Sequence, residues 1–171
     1  EIAPDFFKEK ILVTGHSPDN DKRICVGMIF LPRTDYSKQE KCREIIEAAL
    51  LEENYNIYGW RQVPINPSVL GKIADMNRPE IAQVMFKKNK HLETNDLERD
   101  LFETRKKIEK VARESQLDEL YICSFSSRSI VYKGMFLAEM LSEFYLDLND
   151  EKLTSRFAIF HQRYSTNTFP S

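Results

Sequence analysis

A chain of 171 residues with 42% apolar content can bury one sizeable core and is too short for two independent ones. Its 25 Lys and Arg against 27 Asp and Glu leave a formal charge of −2, so no net field draws it to nucleic acid or to an anionic membrane surface. No apolar run approaches the ~18 residues of a membrane span, and the N-terminus lacks the basic and apolar regions of a secretory signal, which reads as a soluble, cytoplasmic protein.

In chain order, residues 24–31 form a continuous apolar run closed by Pro32, the pattern of a buried strand. Ser37 and Glu40 have the spacing of a capping box, and Cys42, Ile45, Ile46, Ala49 and Leu50 recur at helical spacing as far as about residue 53. Residues 58–65 suggest a strand limited by Pro64, which cannot donate to a ladder. Asn66-Pro67-Ser68 has the cap-and-proline look of a short helix start.

Residues 81–86 read as another strand. Asn95 with Glu98 opens the longest helix, near 96–114, whose stripe of Leu97, Leu101, Ile108 and Val111 is a core face. Its basic stretch, Arg105-Lys106-Lys107 to Lys110, is interleaved with Glu103, Glu109 and Glu114, as on a solvated helix face. Two strands are expected at 120–125 and 129–132, separated by Ser126-Ser127-Arg128, then a helix at 135–145. A last strand at 157–164 would carry Phe157, Ile159 and His161 on one side. Strands and helices in this irregular order argue an α+β fold.

Three cysteines, Cys25, Cys42 and Cys123, have no metal-ligand spacing and no neighbouring His, so each reads as a small buried hydrophobe and no metal site is expected. Arg128 could face a ligand cleft or pair with a carboxylate and fits the structural pairing better, and Lys133-Gly134 fits a tight turn, the glycine supplying tolerance of positive φ. Trp60 reads as core or lid packing. His161 fits a hydrogen-bonded structural role better than that of a base, and His16 and His91 stand in polar, loop-like surroundings.

The end of the chain is chemically the richest stretch. His161-Gln162-Arg163-Tyr164-Ser165-Thr166-Asn167-Thr168-Phe169-Pro170 sets one fixed cation among short hydroxyl and amide side chains. Arg clamps a carboxylate bidentately, and hydroxyl and carbonyl oxygens accept from an ammonium, so the set suits a free amino acid. The same residue types also suit a solvated strand end, and on their own they leave both readings open.

This string resembles the His-x-Arg-x-Ser-Thr-Asn-Thr-x-Pro segment of the glutamine amidotransferase domain in the glutamate synthase large (alpha) chain family. Further blocks are similar in the same order: Pro4-Asp5-Phe6-Phe7, Val26-Gly27-Met28-Ile29-Phe30-Leu31-Pro32, Gly59-Trp60-Arg61 with Val63-Pro64, and Leu70-Gly71. Gln83-Val84, Leu97-Glu98-Arg99 with Arg105-Lys106, and Ser126-Ser127-Arg128-Ser129-Ile130-Val131-Tyr132-Lys133-Gly134-Met135 follow. The resemblance implies a class II amidotransferase of the N-terminal-nucleophile (Ntn) hydrolase type, an αββα four-layer sandwich that hydrolyses L-glutamine to glutamate and ammonia. In that family the ammonia passes to a distant flavin site, where 2-oxoglutarate becomes a second glutamate.

The family's nucleophile is a cysteine at the mature N-terminus whose own α-amine serves as base, and its oxyanion is held by an Asn-Gly pair downstream of the arginine motif. Glu1 stands first here and the sequence stops at Ser171, so the expectation is that residues 1–171 are an interior piece of the domain, inactive alone and without a catalytic residue. Arg163 matches the arginine that clamps the α-carboxylate of glutamine. Thr166 and Asn167 match neighbours that fix the amino-acid end, and Ser165 is a less specific match. The resemblance implies FMN and an iron-sulfur cluster elsewhere in the parent and no cofactor here. As partners it implies L-glutamine, the remaining synthase domains, and a small reductase subunit or ferredoxin, with a plastid location if the source is a photosynthetic eukaryote. The alternative is a non-catalytic module that binds an amino acid or a partner subunit through the same Arg163.

Overall fold

The computed structural model describes residues 1–18 and 23–162. The apolar run becomes β1 (Cys25–Leu31), the inner strand whose residues are buried on both faces, which is why it lacks alternation. It pairs antiparallel with β3 (Glu80–Lys88) on one side and β4 (Tyr121–Ser126) on the other. β2 (Tyr55–Gln62) adds to β3, giving one antiparallel sheet in the order β2-β3-β1-β4. With the helices below, this is the expected α+β architecture.

Period-two alternation divides the sheet between two cores. Cys25, Ile29 and Leu31 of β1 and Ala82, Val84 and Phe86 of β3 face α2 (Tyr36–Glu52) and α4 (Thr94–Glu114), which bury Cys42, Ile46, Leu50, Leu97, Leu101 and Ile108 against them. A register shift in β2 between Ile57 and Gly59 changes the parity, so that Ile57 and Trp60 both reach this core although they stand three apart. Gly59 takes φ +138°, a conformation other residues rarely adopt.

The second face is covered by shorter pieces. α1 (Pro4–Val13) begins on a proline at its first turn and packs Phe6, Phe7 and Ile11 against Val26, Tyr58 and Met85. Farther along, Phe144 and Tyr145 pack with Met28, Val63 and Ile81. The region around Phe144 is a chain of short turns: a 3-10 turn at Ala138–Met140, α5 (Leu141–Phe144), and a 3-10 turn at Leu146–Asn149.

Several expectations need correcting. The cap of α2 is Asp35, whose carboxylate accepts from the Lys38 backbone N–H at 3.0 Å, so the Ser37/Glu40 box does not form. α4 starts after Glu93 without a side-chain cap, and Glu98 is engaged elsewhere. In its stripe Thr104 and Ala112 are buried, whereas Val111 is 43% exposed.

Residues 129–132 form no strand, because their backbone is held by serine hydroxyls: Ser126 Oγ accepts from Ser129 N–H and Ser124 Oγ from Val131 N–H. The expected helix at 135–145 is broken at Leu137, which is extended at φ −68° and ψ 148°, and Phe136 turns its ring onto Phe144 and Tyr145. Residues 157–162 pair with none of the four strands, and Phe157, Ile159 and Phe160 are exposed. Gly134 does not have positive φ; a Cβ there would meet the Phe136 ring at 2.3 Å, so close packing explains the residue.

The expectation missed α1 and the short α3 (Lys72–Asn77). It placed the Asn66-capped turn correctly: the Asn66 side chain accepts from Ser68 N–H ahead of a 3-10 turn at Pro67–Val69.

Candidate functional site

The residues singled out for substrate binding, Arg163, Ser165, Thr166 and Asn167, lie outside the described residues, as does Tyr164. What is described is the course of the chain toward them. After α5, Tyr145 bridges antiparallel to Ile65, and Leu146 N–H donates to Pro64 C=O at 3.2 Å. From there a strap of backbone, running from Tyr145 to Arg156, passes β2 and returns along α1.

Beside β2 the strap meets a buried polar cluster. Arg61 donates both arms of its guanidinium to Asp147, at 2.8 Å to Oδ1 and 2.9 Å to Oδ2, in the two-pronged geometry that suits a carboxylate. The same Arg61 also donates to Gln83 Oε1 at 2.7 Å, and Tyr132 Oη donates to Asp147 Oδ2 at 3.4 Å. The Asp147 side chain is 3% exposed and that of Arg61 13%. Burial, followed by the charge of Asp147, pushes the Tyr132 phenol above its ordinary range, so it is a donor at any physiological pH.

Beyond the cluster the strap follows α1. Lys10 pairs with Asp150 at 3.4 Å, Lys152 pairs with Glu9, and the Arg156 N–H donates to the Glu1 carboxylate at 3.1 Å. Leu148 and Leu153 pack beneath it. The start of the chain therefore lies beside Arg156, a few positions before Arg163.

A second polar feature organises the Ser126-Ser127-Arg128-Ser129 turn. The Glu98 carboxylate accepts from Ser126 Oγ at 2.8 Å, Ser127 Oγ at 2.6 Å and Ser127 N–H at 2.8 Å. Ser126 Oγ in turn accepts from the Arg128 N–H at 2.9 Å, and Arg128 C=O accepts from the Ile2 N–H. Arg128 thus serves the fold through its backbone, while its side chain is exposed. Glu98 links the start of α4 to the turn and to the first residues of the chain.

Other candidates are less constrained. His161 is exposed and, among the described residues, in no strand. His16 sits 3.2 Å from Thr14 Oγ1 and His91 3.5 Å from Arg23, both at the surface. Trp60 packs against the helical core and donates to Glu47 at 2.7 Å, under the Arg43 guanidinium. The basic stretch of α4 is paired as expected, Arg105 and Lys106 with Glu109 and Lys107 with Glu53. A hollow of about 260 Å³ between Val69, Leu70, Met135, Phe136 and Met140 offers no charged group to either end of an amino acid.

None of the three cysteines forms a disulfide; Cys25 and Cys42 are buried as expected and Cys123 is only partly so. Desolvation pushes the Cys42 thiol up to about 11 and the Cys123 thiol up to about 12, the reverse of what a nucleophile or a thiolate ligand needs. Among the described residues no group of His, Cys, Asp and Glu could hold a metal ion, so this donor set does not fit an iron-sulfur cluster. No helix among the described residues is long and apolar enough to cross a membrane.

Arg61, Asp147 and the role of Glu98 escaped the sequence reading. Arg61 and Asp147 stand 86 residues apart, and only the charge of Asp147 between Leu146 and Leu148 hinted at a buried partner. Asp5 after Pro4, with Phe7 and Ile11 at helical spacing, was the available signal for α1.

Comparison with known proteins gives one coherent result. The family model for class-II glutamine amidotransferases matches residues 1–171. The large chain of glutamate synthase [NADPH] from Azospirillum brasilense is 52% identical over 171 residues, which is 99% of this chain and 11% of that protein. The chloroplastic ferredoxin-dependent glutamate synthase of Oryza sativa is 43% identical over 170 residues, and the chloroplastic/mitochondrial ferredoxin-dependent glutamate synthase 1 of Arabidopsis thaliana 46%, each over 99% of this chain and 10% of the relative. The chain spans about a tenth of the length of these relatives.

Proposed function

Because the chain belongs to the class-II glutamine amidotransferases, an Ntn-type family, we propose that residues 1–171 are the substrate-holding part of the glutaminase domain of a glutamate synthase. The observation that carries this is similarity along the whole chain to glutamate synthases of both donor types, together with the Arg163 motif on which the resemblance began. In this reading Arg163 clamps the α-carboxylate of L-glutamine, and Ser165, Thr166 and Asn167 fix its amino-acid end.

The reaction is attack by a cysteine thiolate on the glutamine side-chain amide carbon. The C–N bond breaks, ammonia leaves with a proton from the base, and water then hydrolyses the thioester to glutamate. The nucleophile is supplied by a segment preceding Glu1, and the oxyanion donors by a segment following Ser171. The contact between Glu1 and Arg156 supports this arrangement, since it brings the approach to Arg163 beside the start of the chain.

The four-layer sandwich is proposed on similar grounds. One sheet face carries α2 and α4 as a full helical layer, while the other carries only α1 and short turns, as expected of half an αββα stack whose second sheet lies elsewhere in the protein. The parent's remaining domains would hold FMN and the iron-sulfur cluster, for which the thiols here are unsuited, and would spend the ammonia on 2-oxoglutarate. Its electron donor is a small reductase subunit or ferredoxin, the relatives' names carrying NADPH in one case and ferredoxin in others, and its location is the cytoplasm or the plastid.

The test is Arg163→Ala in the full-length protein. Loss of a charge partner inside a binding site should weaken glutamine binding by roughly 2 to 4 kcal/mol. An unchanged glutamine KM contradicts the assignment.

A further inference from the structure

The strap from Tyr145 to Arg156 is fastened along its length, and of its ion pairs among the described residues only Arg61–Asp147 is buried. Lys10–Asp150 is partly open to solvent at both ends, and Lys152–Glu9 and Arg156–Glu1 each leave at least one partner largely exposed, with 91% of the Arg156 side chain in solvent, so each contributes little in water. Arg61–Asp147 is withdrawn from water and shares its hydrogen bonds with Gln83 and Tyr132, so β2, β3, the segment after the serine turn and the strap meet at one point. The Arg61 guanidinium also lies 5.6 Å from the centre of the Phe6 ring of α1.

Stability does not explain such a pair, because apolar side chains of similar volume in its place are commonly as stable or more so. What a two-pronged guanidinium–carboxylate contact provides is a fixed angle between two backbones. Here it fixes where the strap leaves β2, and therefore where the chain sets out toward Arg163.

We propose that Arg61 and Asp147 are positioning residues for glutamine binding, setting the path of the strap that delivers Arg163. The inference rests on the reading of Arg163 given above. Neither residue touches the substrate; each acts through the strap. A carboxylate clamp displaced by about 1 Å loses most of its bidentate contact, and misplacements of that size cost up to about a hundredfold.

The experiment replaces the pair by apolar residues, Arg61→Met with Asp147→Leu, in the full-length protein. Glutamine KM and kcat are measured beside amide hydrogen exchange across residues 145–156. The expected result is a folded protein in which strap amides exchange faster, KM rises about tenfold or more, and kcat changes little. A merely destabilised protein shows the opposite split, since an unfolded fraction lowers apparent kcat and leaves KM unchanged.

If Arg163→Ala raises KM and the paired replacement does not, the positioning inference alone falls. If Arg163→Ala itself leaves KM unchanged, the reading of the arm falls and this inference with it. A KM rise without faster exchange in the strap also overturns the proposal. Should the double variant not fold, Arg61→Lys decides: it keeps the charge and loses the fork, so a folded Arg61→Lys protein with unaltered KM contradicts the inference.

Discussion

At the scale of single residues, positions that carry geometry should cost more than their chemistry suggests. Gly59 has φ +138° and its missing Cβ would lie 3.1 Å from Thr14, so Gly59→Ala should destabilise by about 1 to 3 kcal/mol in urea denaturation. Glu98 accepts three hydrogen bonds from the serine turn, and Glu98→Ala should cost about 1 to 3 kcal/mol by leaving those donors unpaired. The thiols set a pH dependence whose sign follows from their burial. Cys42 rises from 9.0 to about 11 and Cys123 from 9.0 to about 12, so the folded state keeps protons that the unfolded chain releases. Their contribution is fully present below pH 9 and is lost as pH climbs through about 11 to 12, a fall in melting temperature that a Cys42→Ala, Cys123→Ala protein should show less steeply. At this scale the sequence disclosed chemistry better than partnership. Arg163 stood out as a cation in a polar string, whereas Arg61 gave no sign that its partner was Asp147, because no local spacing encodes a contact across 86 residues.

At the scale of elements, the helical layer shows where periodicity is a sufficient guide and where it stops. Leu97, Leu101 and Ile108 were legible as the core stripe of α4, and Cys42, Ile46 and Leu50 as that of α2, because each helix has a single buried face against the sheet. At the last turn of α4 the stripe could continue on Val111 or Ala112, and tertiary packing chose Ala112, with Leu117 packed into the same core. Ile108→Ala should therefore cost about 2 to 5 kcal/mol and Val111→Ala no more than about 0.5 kcal/mol, a contrast read directly from their denaturation midpoints. The second face was much harder to read. Its elements are short, and residues 129–132 take their backbone order from serine hydroxyls, which no period of 2 or 3.6 reveals. Over residues 157–162 the expected strand does not form, for a related reason: alternation marks a strand only where another strand accepts its ladder, and these residues meet none among the described residues.

At the scale of the whole molecule, the chain is a sheet with one finished helical layer and a second face dressed by α1 and a strap whose ends converge on Glu1 and Arg156. That asymmetry fits the proposal of a part that acquires its catalytic residue from elsewhere: Cys42 and Cys123 stay protonated well above neutral pH, and Arg163, the cation proposed to hold substrate, comes late in the sequence. Fold class and family were both legible in the sequence, the first from its mixed periodicities and the second from short strings that carry chemistry. The direct test of the central claim is ammonia release from L-glutamine, by the 171-residue chain alone and by a protein in which the same chain is preceded by the family's N-terminal cysteine segment and followed by its Asn-Gly segment. Turnover by the extended protein, abolished by Arg163→Ala at low glutamine, with none from the chain alone, is the predicted result. Ammonia release by the chain alone, or an extended protein indifferent to Arg163, would contradict it.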